Sequence, residues 1–532
     1  MFDYIVVGAG SAGCVLANRL SAGGKYSVLL LEAGPKDDYL WIHIPIGYAK
    51  TMFSSKYNWC FYTEPDPGMN NRKVYWPRGK VLGGSSAING LIYVRGQPQD
   101  YDHWERLGNQ GWGWKDVLPY FIKSERNQRG ANAYHGATGE LGVSNVGEPN
   151  ELAEAFIAAA EQTGFPRNDD FNGQVQEGAG YYQLTTWRGW RSSTAVGYLR
   201  PARTWPNLRV EIEAFATRVL FEGKRAKGLA YSQNGRAHEA HAHREIILCA
   251  GAIQSPQLLQ LSGVGDAGFL RRHGIEVLHH LPGVGQNLQD HLQVRVIHRC
   301  AKAITTNDDM KSVARKLKMG MKYLLFRSGP LSIGINQAGA FVRTRDEVSR
   351  PDIQFHFAAL SADMPGAPLH TFSGFTSSVC QLRPESRGSV LIKSRDPFEA
   401  PAMQPNYLSA EIDRKTIVAG LKVARKIAAA PALKAYIIDE YMPGKDIQLD
   451  DELLDFARNT GVTIFHPSGT CKMGSDRAAV VDDRLRVHGI DGLRVVDCSI
   501  IPTLMSGNTH APVVMIAEKA ADMILDDVRN RG

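Results

Sequence analysis

The sequence predicts an α/β protein, α+β overall, with two interleaved domains. One is a doubly wound sheet and the other is built on an antiparallel sheet. Three observations carry this reading. The chain opens on a strand–helix–strand unit with glycines at its first turn. Its middle part changes to runs that alternate along the chain. Its last stretch returns to glycine-punctuated segments like those of the first half. A length of 532 residues also exceeds what one simple core holds.

The opening unit comes first. Tyr4 to Val7 reads as a short buried strand, Ser11 to Leu20 as a helix, and Ser27 to Leu31 as a second strand ending at Glu32. Between the first strand and the helix lies Gly8-Ala9-Gly10-Ser11-Ala12-Gly13. Gly8 suits the tight turn, Gly10 lets the backbone approach a pyrophosphate, and Gly13 lets helix and strand pack closely. The helix N-terminus, with Ser11, offers free N–H groups to phosphates. Glu32 stands nineteen residues after Gly13, where a carboxylate accepts from ribose hydroxyls. With strand, helix and acid in register, this Rossmann-like unit implies a cofactor containing ADP. The fingerprint alone does not separate FAD from NAD.

Residues 34–136 read as long loops and short helices over a pocket. Glu151 to Thr163 reads as an amphipathic helix and Ala242 to Ala250 as a strand. Between residues 299 and 445, Ile353 to Phe357 and Ser389 to Lys393 alternate as strands of an antiparallel sheet do. The expected division is therefore 1–298 for the dinucleotide domain and 299–445 for the substrate domain. Residues 446–532 then return to the first domain.

Composition narrows the class. Hydrophobic residues make up 43% and charged residues 22%, as in ordinary globular proteins. The net charge of +7 is mild for this length, and no run of like charges stands out, so nucleic acid is not expected as a partner. Seven scattered cysteines without a CxxC pair argue against a disulfide framework or zinc site. His238, His241 and His243 lie just before a strand-like run without a nearby ligand cluster, so no metal is expected. The chain enters its first strand at once, and no apolar stretch is long enough to span a bilayer. The expected location is cytoplasmic, at most peripheral on the inner face of a membrane.

Two further segments are rich in glycine and serine. One is Arg78-Gly79-Lys80-Val81-Leu82-Gly83-Gly84-Ser85-Ser86-Ala87-Ile88-Asn89-Gly90. The other runs from Gly251 through Ser255 and Ser262 to Gly265. Small residues let backbone approach a ring or phosphate. Together with the fingerprint, and in this order, these segments resemble the glucose–methanol–choline (GMC) family of flavin oxidoreductases. The nearest likeness is to bacterial choline dehydrogenase-like and alcohol dehydrogenase members. The resemblance implies FAD, a substrate domain with an antiparallel sheet, and oxidation of an alcohol. It places Gly83, Ser86 and Asn89 along the flavin. Some choline-oxidising members carry, where this chain has Ile88, a histidine bonded to the flavin. Ile88 cannot make that bond, so the expected FAD is non-covalent.

Alcohol oxidation needs a base for the hydroxyl proton and an acceptor for hydride. Two histidines stand out by context. His466 precedes Pro467 and a glycine turn, and His510 lies just before Pro512, which suits the first residue of a helix from Val513 to Leu525. By resemblance His466 is the catalytic base, and His510, at a position that varies between His and Asn, holds the substrate oxygen. Which of the two takes the proton stays open. The resemblance also sets the N-terminus of the Pro512 helix at the pyrimidine end of the flavin, where its partial charge stabilises an anion. Asp497 follows a strand-like run. It lies near the ribityl–pyrophosphate region by resemblance, or makes only a local bond. Ser255 and Ser262 lack a nucleophile elbow. Phe357 and Phe465 are candidates for the pocket wall, core packing being the alternative. His510 and the lack of a locatable cage speak against choline. The electron acceptor, oxygen or a quinone-like carrier, stays open with a lean towards the latter, and the rival readings are a nicotinamide dehydrogenase and a non-enzymatic flavin-binding or sensor protein.

Overall fold

The first strand, Phe2–Val7, is buried from Tyr4 onward, as a strand covered on both faces must be. It pairs in parallel with Val28–Leu31 on one side and with the end of Arg236–Leu248 on the other. Leu208–Glu211 extends this parallel sheet beyond Val28–Leu31, and Leu493–Val495 pairs on the far side of Arg236–Leu248. The structure, a computed structural model, describes residues 1–529, so residues 530–532 of the C-terminal segment lie outside the described residues.

The strand expected at 242–250 is the second half of a longer one, Arg236–Leu248. Its first half carries His238, His241 and His243 and runs antiparallel to Arg225–Gln233. Helix Ser11–Ser21 is almost wholly buried, because the last helix, His510–Arg529, lies against it. That last helix begins at His510, so Pro512 is its third residue rather than its first. The position still suits proline, since first-turn N–H groups have no partner within the helix. All seven cysteines are free.

The second sheet is antiparallel. Its strands run in the order Ile437–Met442, Leu292–Cys300, Gly374–Gln381, Ile353–Ala358, Asn336–Val342 and Gly178–Tyr181. Strand Gly178–Tyr181 precedes residue 299 in the chain yet closes this sheet. Helix Glu151–Gln162 shares its core. Ser389–Leu391 lies outside the sheet and pairs with Ala402–Gln404 in a separate ribbon.

Strand Ile353–Ala358 is buried at every residue, so its alternation does not separate core from solvent. Phe355 and Phe357 join the apolar core, where Phe357 stacks on Phe156 at 4.7 Å. The polar alternates turn the other way. His356 reaches the cleft between this sheet and the parallel one, and Gln354 donates to Asn508 there.

Candidate active site

One cavity runs along this cleft, from the fingerprint to His466. Its first wall is built by glycines. Gly8 has φ +98°, and a Cβ there would lie 2.7 Å from the Cys249 carbonyl oxygen. A Cβ on Gly13 would lie 1.8 Å from the Gly8 carbonyl oxygen, so helix and turn touch through bare backbone. A Cβ on Gly10 would meet no protein atom closer than 3.9 Å, and Gly10 lines the cavity. The protein thus leaves open the space a pyrophosphate backbone contact requires. Glu32, buried on the same wall, accepts from the N–H groups of Ala9 at 2.9 Å and Gly34 at 2.8 Å. Each oxygen keeps a lone pair for a ribose hydroxyl. Burial raises this carboxyl to about 7.

The second wall is the Arg78–Gly90 segment. The Gly83 N–H donates to the Ala9 carbonyl, so the two glycine loops are stitched together. Ser86 donates to the Gly83 carbonyl at 2.6 Å. Asn89 is fixed by buried Arg191, which donates to its backbone and side-chain oxygens. Arg191 also donates to the Ile42, Pro45 and Ser86 carbonyls. Burial pulls this guanidinium down to about 9. Gly8, Gly10, Ser11, Glu32, Ser86, Ile88, Asn89 and Asp497 all line the cavity. Gly13, Gly83 and Pro512 stand behind that wall, as packing positions.

Asp497 makes local bonds as well as facing the cavity. It accepts from the Gly251 N–H at 2.8 Å, the Ser255 hydroxyl at 2.6 Å and the Ser499 N–H at 2.8 Å. Ser262 donates to the Leu258 carbonyl. Neither serine meets a histidine, so the geometry gives them no nucleophilic role.

At the other end His466 is held at four points. Its backbone N–H donates to Asp290 at 2.8 Å. The preceding residue, Phe465, lines the cavity with φ +73°, uncommon for a bulky side chain. Arg78 donates to the Phe465 carbonyl at 2.6 Å and fixes that turn. The ring Nδ1 lies 2.9 Å from Nδ1 of His291, and Nε2 lies 3.3 Å from the Asn508 amide nitrogen.

These partners set the protons. His291 Nε2 sits 2.8 Å from the Leu382 carbonyl oxygen, so it must carry hydrogen. Burial pulls His291 down to about 4, so the ring is neutral and its Nδ1 is a lone pair. His466 Nδ1 therefore carries the proton between the two rings. Burial, His291, His356 and Arg78 hold His466 well below the usual imidazole range, so it too is neutral. Its Nε2 is then a bare lone pair at the cavity, with Asn508 donating to it.

His510 opens the last helix, with Nδ1 3.1 Å from the Ser11 hydroxyl. Its Nε2 is buried without a protein partner among the described residues. His356 Nδ1, also on the cavity wall, is likewise unpartnered. Phe357 is core. Sequence reasoning missed His291, Asp290, His356 and Asn508 as site residues. Asp290-His291 follows a glycine turn at Gly283 and Gly285, and His356 is a polar alternate in an apolar strand. These local features mark the residues but do not show what they meet.

Two family models described as GMC oxidoreductase match residues 2–293 and 384–517. The mitochondrial choline dehydrogenase of Mus musculus is 46% identical, over 98% of this chain and 89% of that protein. The alcohol dehydrogenase [acceptor] of Pseudomonas putida is 44% identical, over 99% of this chain and 96% of that protein. An Aspergillus oryzae formate oxidase variant, solved for its effect on FAD modification, superposes with a TM-score of 0.93 at 28% identity, covering 99% of both chains.

Proposed function

This chain belongs to the GMC oxidoreductase family and is an FAD-dependent oxidoreductase of CH–OH donors, and on that premise we propose that His466 is its base and an uncharged alcohol its substrate. FAD would supply the acceptor for the hydride that leaves the carbinol carbon. Gly8, Gly10, Ser11, Glu32, Ser86, Asn89 and Asp497 would hold it. Ile88 presents only hydrocarbon to the cavity, so the cofactor is held without a covalent bond. The N-terminus of helix His510–Arg529 borders the cavity and would favour negative charge there.

The observation that carries the reading is the bare Nε2 of His466. It takes the hydroxyl proton as the carbon gives up hydride, and the carbonyl product forms. His291 accepts from Nδ1 throughout and steadies the imidazolium that results. His510, fixed by Ser11, directs Nε2–H at the substrate oxygen. His466→Ala is expected to keep its yellow FAD while anaerobic bleaching by benzyl alcohol slows roughly 10²- to 10⁴-fold. Near-full turnover in that variant would overturn the assignment. Acid precipitation is expected to release the yellow colour into the supernatant; colour left on the pellet would refute non-covalent binding.

Substrate charge follows from the wall. Among the described lining residues the carboxylates are Glu32 and Asp497, both engaged with backbone N–H groups. Around His466 stand Arg78, His356 and Asn508. A quaternary ammonium would enter without a counter-charge. Benzyl or primary aliphatic alcohols should therefore exceed choline in kcat/KM by about tenfold or more. The same panel, run with an artificial dye and then with oxygen alone, tests a quinone-like acceptor. Support for that acceptor is the P. putida relative, whose name specifies an acceptor.

A further inference from the structure

The helix Val313–Phe326 exposes an apolar stripe that the fold leaves uncovered. Val313 is 70% exposed, Leu317 63%, Met321 60% and Leu324 67%. Their spacing of four, four and three residues sets them in one line along the helix. Leu325, at 64%, widens the stripe. Contiguous exposed apolar surface of this kind marks an interaction face. The helix is anchored on a different side, through buried Tyr323, whose hydroxyl donates to the Gly189 carbonyl.

Charge identifies the occupant. From Lys311 to Arg327 the segment carries six cations, Lys311, Arg315, Lys316, Lys318, Lys322 and Arg327, and no acid. Arg315 and Lys322 are tied to Asp309 and Glu148, while Lys316 and Lys318 point into solvent. Single-sequence reading passes over this segment because the cations are interspersed with apolar residues and form no run longer than Arg315-Lys316. A second copy of the chain, laid face to face, would bring two cationic helices together, which like-charge repulsion opposes. No helix of the described residues is long and apolar enough to cross a bilayer. A basic amphipathic helix of this type lies in the plane of an anionic lipid surface.

We infer that helix Val313–Phe326 docks this enzyme on an anionic membrane surface, with Val313, Leu317, Met321 and Leu324 entering the headgroup boundary and Lys316 and Lys318 meeting lipid phosphates. The helix adjoins the turn Pro330–Ser332, which packs on Pro45–Gly47, next to cavity residues Tyr48 and Met52. Docking there brings the active-site wall close to the bilayer, where an apolar electron acceptor dissolves. The inference goes beyond the alcohol chemistry and does not depend on which alcohol is oxidised.

The test is flotation of the FAD-loaded enzyme with vesicles of phosphatidylcholine alone or mixed equally with phosphatidylglycerol. The enzyme should float with the mixed vesicles and not with the neutral ones, and high salt should release it. Lys316→Gln with Lys318→Gln should weaken partitioning about 25-fold, from roughly fivefold per lost charge. Leu317→Glu with Met321→Glu should abolish flotation. Dye-linked alcohol turnover in detergent-free buffer should stay at the wild-type level in both variants, which shows that they fold. The inference fails if wild-type enzyme does not float with the mixed vesicles, or if Leu317→Glu with Met321→Glu floats equally. It also fails if the molar mass in solution falls from dimer to monomer in that variant, since the stripe would then be a subunit interface. Loss of alcohol oxidation in wild-type enzyme would instead overturn the reading of the active site.

Discussion

At the scale of single residues the chemistry rests on one ring meeting another. His466 stands out in the sequence by Pro467 and the glycine turn, and the family resemblance gives it the role of base. Its partner does not, because His291 is 175 positions away and only the fold joins them. Removing that partner gives a clear expectation. His291→Ala leaves His466 Nδ1 without an acceptor, so the ring no longer has one tautomer and the imidazolium loses its support. A fall in kcat of roughly tenfold to a hundredfold is expected, with a smaller change in KM. The pH profile separates positioning from mere structural damage. Burial lowers His466 below 6.5, so the base form prevails at neutral pH and activity is lost only as pH falls through a lower value. The acid limb of kcat/KM should therefore lie below 6.5 in the wild type and move in His291→Ala, because a neighbour that shapes the His466 titration is gone. A wild-type acid limb at or above 6.5 would contradict the geometry.

At the scale of elements, the opening strand, helix and strand lie within two residues of where the sequence sets them. Strong periodicity with glycine punctuation explains this. Errors gather where an element is defined by its neighbours. The strand at 236–248 starts early because a hairpin partner extends it. Strand 389–391 pairs elsewhere because alternation says nothing about which sheet a strand joins. Strand 353–358 alternates between apolar core and cavity rather than core and water, which hid His356 from sequence reasoning. The fingerprint turn is the element with least tolerance. In Gly13→Ala the new Cβ would stand 1.8 Å from a backbone oxygen, and the turn must move. Overpacking of this kind costs about 1–3 kcal/mol or more. The variant should also lose FAD, read as the ratio of flavin to protein absorbance. Stoichiometric FAD with unchanged urea stability would show that the contact relaxes at no cost.

At the scale of the whole molecule, the chain closes on itself. Helix Ser11–Ser21 carries part of the cofactor wall and helix His510–Arg529 carries His510, and they lie side by side although about 500 residues separate them. Apolar packing joins them, but one polar knot sets their register. Arg19 donates to Glu518 and to Glu140, and Tyr198 donates to the same Glu518. Glu518 is fully buried while Arg19 keeps a fifth of its side chain exposed. Arg19 and Tyr198 hold the Glu518 carboxyl below its usual range despite the burial that opposes ionisation. Removing the cation thus leaves a buried anion with the Tyr198 hydroxyl at 2.8 Å and, as its nearest remaining cation, Lys123 at 3.3 Å. Arg19→Ala should lower the free energy of unfolding by about 3 kcal/mol, the range for breaking one side of a buried pair. Since the helices carry opposite ends of one site, the same change should loosen FAD binding and lower kcat together. Arg19→Ala with Glu518→Gln should recover part of the stability, because the unpaired charge is gone. If the single variant unfolds at the wild-type urea midpoint, the knot is incidental and apolar contact alone holds the two ends of the chain.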